Sequence, residues 1–152
     1  MRILENKALV ARYFEAVNGG DMDAINDILD DSVTFWVPPS LPDGALFEGK
    51  EQVLALFASS VGLYDVEAGL TVSVGCMTAE EDRVAVELVI EGRAAANGQV
   101  YRNHYHFLIR VGGGHIVSIR EHLDSHYAYT TLFEPAGIRN REDCDWLPGS
   151  GA

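Results

Sequence analysis

Hydrophobic residues recur along this chain with two periods, and the change from one to the other divides it. From Asn6 to Asn18 (NKALVARYFEAVN), Leu9, Val10, Tyr13, Phe14 and Val17 fall on one helical face, and Gly19-Gly20 terminates the run. Asp21 is placed to cap a second helix reaching Leu29, with Met22, Ile25, Ile28 and Leu29 as its apolar side. These two predict a helical hairpin. Val33 to Val37 (VTFWV) is β-branched and aromatic and predicts a short strand, stopped where Pro38-Pro39 remove ladder donors. The stretch PPSLPDGALFEG reads as a loop. Lys50 to Val61 then predicts a third helix, with Val53, Leu54, Phe57 and Val61 at helical spacing.

Beyond it the period is two. Ala68 to Thr78 and Arg83 to Ala95 predict strands joined by the polar turn Glu80-Glu81-Asp82, and the second carries Val84, Val86, Leu88 and Ile90 on one face. Asn97-Gly98 is a hairpin signal leading into VYRNHYHFLIRVGGGHIVSIREHLDSHYAY, which holds two further strands about a triple glycine. Four long strands joined by tight turns predict an antiparallel meander, and Ser125 to Phe133 a last helical turn or two. Helices first and strands afterwards argue an α+β fold, the helices gathered on one face of a curved sheet.

Alternation assigns faces within the last two strands. Tyr101, Asn103, Tyr105, Phe107, Ile109 and Val111 make an inner row, and Arg102, His104, His106, Leu108 and Arg110 an outer one. After the glycines Val117, Ile119 and Leu123 continue the inner row, with Ser118, Arg120, His122 and Asp124 opposite. Glu121 is an acid on that apolar inward row. Burial disfavours a carboxylate and raises its pKa, which suits a general acid or base. A structurally paired buried acid is the alternative. Asn103 and Tyr105 share its face and can orient it or bind a substrate oxygen; equally, Tyr105 can be plain core and Asn103 can satisfy a neighbour. Were the parity inverted, His106 and Asp124 would line the pocket instead.

Composition narrows the class. The 152 residues fit one domain, and 47% hydrophobic with 22% charged residues is globular composition without an apolar run of membrane-spanning length. A net charge of -12 argues against nucleic acid and anionic lipid as partners. MRILENK lacks the apolar region of a signal peptide, and Cys76 and Cys144 form no CxxC pair, so the expectation is a cytoplasmic protein with reduced thiols. His104 and His106 share a strand face, with His122 opposite and His126 four residues further on. That face also carries Arg102, Arg110 and Arg120, however, which suits a dimer interface better than a cation. No metal is expected. Gly112 to Gly114 reads as a hairpin turn rather than a phosphate cradle, since neither a helix nor a lysine follows it.

Three stretches carry a resemblance: ARYFEAVNGGDMDAINDILDDSVTF, GKEQVLALF, and NGQVYRNHYHF followed by GGGHIVSIREHLDSHYAY. Over about residues 5 to 130 the chain resembles the SnoaL-like branch of the nuclear transport factor 2-like superfamily, with its ketosteroid isomerases, polyketide cyclases and limonene epoxide hydrolases. The resemblance implies a cone-shaped, strongly bent antiparallel sheet (an α+β barrel, cystatin-like) with helices closing a pocket, commonly as a homodimer. The expected division is a SnoaL-like domain at 1–133 and, from its polar, glycine-rich composition, a C-terminal tail at 134–152, in which Trp146 and Leu147 suggest docking. Tyr13 matches the tyrosine with which the isomerases hold a developing enolate oxygen. Their general base falls near Val37-Pro38, where no carboxylate stands. The hydrolases' arginine and aspartate fall on the strand presenting Leu88 and Ile90, and both are absent. An acid in the last strand survives, as Glu121.

The expected activity is therefore proton transfer without a cofactor (isomerisation, cyclisation, dehydration or hydrolysis) on a small, apolar, oxygenated molecule such as a polyketide or terpenoid. Glu121, Tyr13 and Asn103 are the catalytic candidates. Trp36, Tyr105, Leu88, Leu123 and Phe57 are the candidates for binding substrate. The alternative is a non-catalytic ligand-binding or dimerisation module, favoured by the missing arginine and aspartate.

Overall fold

A computed structural model describes residues 2–139, so Cys144 and the docking expected of Trp146 and Leu147 lie outside the described residues. The elements are α1 (Arg2–Gly19), α2 (Met22–Ile28), β1 (Leu29–Trp36), β2 (Leu46–Glu48), α3 (Lys50–Val61), β3 (Thr71–Glu80), β4 (Arg83–Arg93), β5 (Val100–Gly112), β6 (His115–Leu123) and α4 (Ser125–Ala128). A π-helical turn at Tyr129–Phe133 and a 3-10 turn at Glu134–Ala136 follow α4. The Asp21 carboxylate accepts from the Ala24 N–H at 3.1 Å, capping α2 as its sequence predicts. The order is α+β, with the helices ahead of the main sheet.

The sheet runs β2-β1-β6-β5-β4-β3. From β3 to β6 it is the antiparallel meander read from the turns. Two features differ from the sequence reading. The stretch taken as loop contains β2, paired with β1 through Phe35 and Phe47. And β1 joins β6 in parallel, Phe35 beside Ile119 and Trp36 beside Arg120, so the sheet is mixed and open rather than wholly antiparallel and closed. Short-range patterning reports turns, but it carries no information about which strand a distant one will join.

The inner row of β5 is as alternation predicts: Tyr101, Asn103, Tyr105, Phe107, Ile109 and Val111 are all buried, while Arg102, His104, His106 and Arg110 are exposed. Burial of each large apolar side chain in this row contributes about 1.5–3 kcal/mol. In β6 a register shift opposite Arg110 and Val111 places Ile116, not Val117, on the inner face. Val117 packs instead beside Gly112, where an added Cβ would meet its Cγ1 at 3.3 Å. A bulge moves the phase by one residue, and by Ile119 the predicted parity is restored.

Two asparagines fasten α1 over this sheet. Asn6 Nδ2 donates to the Glu81 carbonyl at 3.2 Å, and Asn18 Oδ1 accepts from the Val72 N–H at 2.7 Å, so both ends of the helix are tied to strand termini. Its apolar face, Leu9, Val10, Tyr13 and Phe14, thereby lies on the inner side of the sheet. α3 packs on β1 and β2. No helix among the described residues is long and apolar enough to cross a membrane.

Candidate active site

Helices and inner sheet face enclose a cavity of about 200 Å³. Its wall is largely aromatic and aliphatic: Tyr13 and Phe14 from α1, Phe35 from β1, Phe57 from α3, and Tyr105 and Phe107 from β5. The rings brace one another, Phe35 edge-on to Phe57 at 5.5 Å between centroids and Tyr105 stacked with Phe107 at 5.9 Å. Among the described residues of this lining, two carboxyl groups, Glu121 and Asp43, are the only ionisable side chains other than tyrosine.

Glu121 enters from β6 opposite Phe107. What surface it keeps faces the cavity rather than bulk water. Burial, and then the charge of Asp43, push its carboxyl up to about 8. Tyr13 lies near enough to feel Glu121, and burial foremost, with that acid second, raises its phenol far above the ordinary value. A phenol that resists ionisation is a hydrogen-bond donor over the whole working pH range.

Asp43 was not singled out from the sequence. Pro-Asp-Gly is an ordinary turn signature, and the acid within it reads as a turn residue. In the structure the turn folds inward. The Leu41 N–H donates to the Pro38 carbonyl at 3.0 Å, the Gly44 N–H to the Leu41 carbonyl at 2.9 Å, and the Val37 N–H to the Ala45 carbonyl at 3.0 Å. A Cβ on Gly44 would run into the Pro38 carbonyl oxygen and lie 2.6 Å from Pro39 Cα, so only glycine closes this loop. Leu41 is buried by it, and Asp43 is carried into the wall with Oδ1 lacking a hydrogen-bond partner. Burial raises the Asp43 carboxyl, against the pull of its own backbone N–H. The available signal was apolar Leu41 two residues before the acid, in a loop leaving a pocket strand.

Tyr64, just after α3, is a second residue the sequence reading passed over. With Tyr101 and Tyr105 it forms a phenol cluster beside the cavity, the last two hydroxyls 2.6 Å apart. Burial is the leading cause of the raised values of Tyr64, Tyr105 and Tyr101, and the last is pushed up to about 12.

Of the sequence candidates, Glu121, Tyr13, Tyr105, Phe57 and Leu123 line the cavity together. Three do not. Asn103 is on the inner face, but its amide nitrogen donates to the Tyr101 hydroxyl at 2.8 Å and to the Asp124 carbonyl at 3.0 Å, so it braces the phenol cluster and the end of β6 instead of reaching a ligand. Leu88 is buried core opposite Tyr105, outside the lining. Trp36 points to the other face of the sheet: it pairs beside Arg120 and its ring lies 5.1 Å from that of His122. One residue of phase on β1 decides this, since its neighbour Phe35 takes the pocket position. His106 is exposed on the outer face, and Asp124 caps α4 by accepting from the Tyr127 N–H at 3.0 Å, so the inverted-parity alternative fails. No group of three or more metal-binding side chains is assembled among the described residues.

The fold has known counterparts. A candidate SnoaL-like polyketide cyclase from Jannaschia sp. CCS1 superposes with a TM-score of 0.74 at 21% identity, covering 85% of this chain and 92% of that one. A nuclear transport factor 2-like protein of unknown function from Burkholderia pseudomallei gives 0.75 at 19% identity over 84% and 97%. A protein with a ketosteroid isomerase-like fold from Catenulispora acidiphila, solved with trimethylamine, gives 0.66 at 20% identity over 92% and 97%. These likenesses show the fold alone. A search of curated proteins finds no match. The model of the SnoaL-like domain matches residues 10–119, well over half of the sequence, and the chain belongs to that family.

Proposed function

We propose that this protein is a cofactor-independent enzyme that moves a proton within a small, largely apolar, oxygenated molecule. The observation that carries the proposal is a carboxyl group, Glu121, enclosed by aromatic walls and held near 8. Such a group is protonated at neutral pH but loses its proton readily, so it can deliver a proton to a carbonyl or leaving oxygen and recover one from a carbon beside a carbonyl. The Tyr13 hydroxyl supplies a donor for the oxygen on which negative charge develops. Phe57, Tyr105 and Leu123 exclude water and hold the substrate skeleton. Isomerisation, cyclisation, dehydration and hydrolysis all use these parts, and the polyketide cyclase likeness favours a ring-forming or ring-modifying substrate. The exposed sheet face bearing His104 and His106 is the surface through which the chain would pair as a homodimer.

The test begins with a mass-spectrometric screen of hydroxyketones, cyclic enones and epoxides against the active and heat-inactivated protein. On a substrate so found, Glu121→Gln keeps the shape and removes the exchangeable acid. Turnover is expected to fall by about 10²–10⁴-fold, and turnover equal to wild type rejects the proposal.

A further inference from the structure

The charge pattern of the cavity says something about the molecule that occupies it. Its described lining contains two acids and no lysine, arginine or histidine. One oxygen of Asp43 is buried with no hydrogen-bond partner, and Glu121 stands in the same wall. Oxygen atoms withdrawn from water without partners cost free energy that the folded chain alone does not recover. Tyr13, Phe35, Phe57, Tyr64, Tyr105 and Phe107 present rings around the same space. Ring faces attract cations, and a carboxylate beside aromatic faces is how proteins hold ammonium groups.

We propose that the cavity takes an organic cation, an amine-bearing ligand whose ammonium group sits between Asp43 and Glu121 against the aromatic wall. This deepens the reading of the cavity as the substrate site and rests on it. An ammonium brings positive charge to the unpartnered Asp43 Oδ1 and relieves the repulsion between the two acids. A carboxylate or phosphate ligand meets only like charge. The net charge of -12 favours approach of a cation as well. The titratable groups facing Glu121 are Asp43 from the β1–β2 loop, Tyr13 from α1, Tyr64 from the segment after α3, and Tyr101 and Tyr105 from β5. None of these phenols ionises below the range in which Glu121 titrates, so the two carboxyl groups set the charge. Binding of a cation therefore drives a proton off Glu121, and affinity rises with pH up to about 8.

Benzyltrimethylammonium, whose charge does not titrate, and neopentylbenzene, the same shape with carbon in place of nitrogen, separate charge from fit. Calorimetry and competition binding at pH 8.5 should give a preference of roughly tenfold or more for the cation. At pH 7 proton release should accompany binding. Asp43→Asn and Glu121→Gln should each bring the preference toward unity, and the second should abolish proton release; circular dichroism checks that each variant is folded. Equal or tighter binding of the neutral isostere, or failure of both compounds to bind, overturns the inference. Cation preference together with undiminished turnover in Glu121→Gln would reject the proton-transfer reading and leave this one standing. Loss of turnover without cation preference does the reverse.

Discussion

The two faces of strands β5 and β6 are built from alternate residues of the same short sequence, yet they obey different electrostatics. On the inner face Glu121 and Asp43 share one aromatic-walled cavity, and burial foremost raises the pKa of each carboxyl. On the outer face charges are plentiful and paired: Arg102 with Glu91 at 3.1 Å, Arg110 with Asp82 at 3.2 Å, and Glu87 in register with His106 and His122. Solvent screens those pairs, and exposed ion pairs contribute about 0–1 kcal/mol. The lesson is that the number of ionisable groups says little about where chemistry occurs. Seclusion decides it, and a single residue of strand phase decides seclusion.

The contrast can be broken most severely through catalysis. Glu121→Gln should remove about 10²–10⁴-fold of turnover, while His106→Gln, one residue from the inner row, should leave the rate within about twofold; comparable losses from both would erase the distinction. Next in size is packing. Phe107→Ala should cost about 3–5 kcal/mol in urea unfolding, and Arg102→Ala on the other face less than about 1 kcal/mol.

The pH dependence of stability should have opposite signs on the two faces. Glu121 is raised from 4.5 to about 8 in the folded chain, so between those values the folded state holds a proton that the unfolded state has lost. Its contribution is present below pH 4.5 and is lost as pH rises through about 8, on the order of 1 kcal/mol per pH unit. Denaturation midpoints of Glu121→Gln should lack this decline between pH 4.5 and about 8. Asn103→Ala follows, at about 1–3 kcal/mol for the partners left unsatisfied, with turnover per folded molecule unchanged because Asn103 holds Tyr101 and the end of β6 and not substrate.

His122 gives the smallest effect. Partial burial, then the neighbouring His106 and Arg120 charges, lower its pKa, so the folded state resists protonation there. Stability should weaken slightly as pH falls below the ordinary histidine value, and thermal melts of His122→Gln should lose that acid-side slope.

Alternation in YRNHYHFLIRV was enough to read the inner row, because a strand with one apolar side has only one register that buries it. Glu121 was legible for the same reason. Trp36 was misplaced because VTFWV is apolar on both sides, so periodicity could not tell Phe35 from Trp36; the parallel pairing with β6 makes that choice. Asn103 faces inward as alternation predicts, but what its amide meets depends on Tyr101 and on the chain's exit at Asp124, which face assignment does not specify. Asp43 was hidden in turn chemistry, and only the inward folding of the loop against Pro38 gives it a place in the wall.

The parallel junction of β1 with β6 also governs the order in which the molecule can be made. β1 (Leu29–Trp36) is synthesised well before its neighbour β6 (His115–Leu123), so on the ribosome the first strand waits with one edge open while β2 to β5 are made. The meander from β3 to β5 can form as it emerges, its contacts being local. The cavity cannot, since Glu121 and the junction that closes it arrive together, and the nascent chain holds no binding site until nearly all of the domain is outside the exit tunnel.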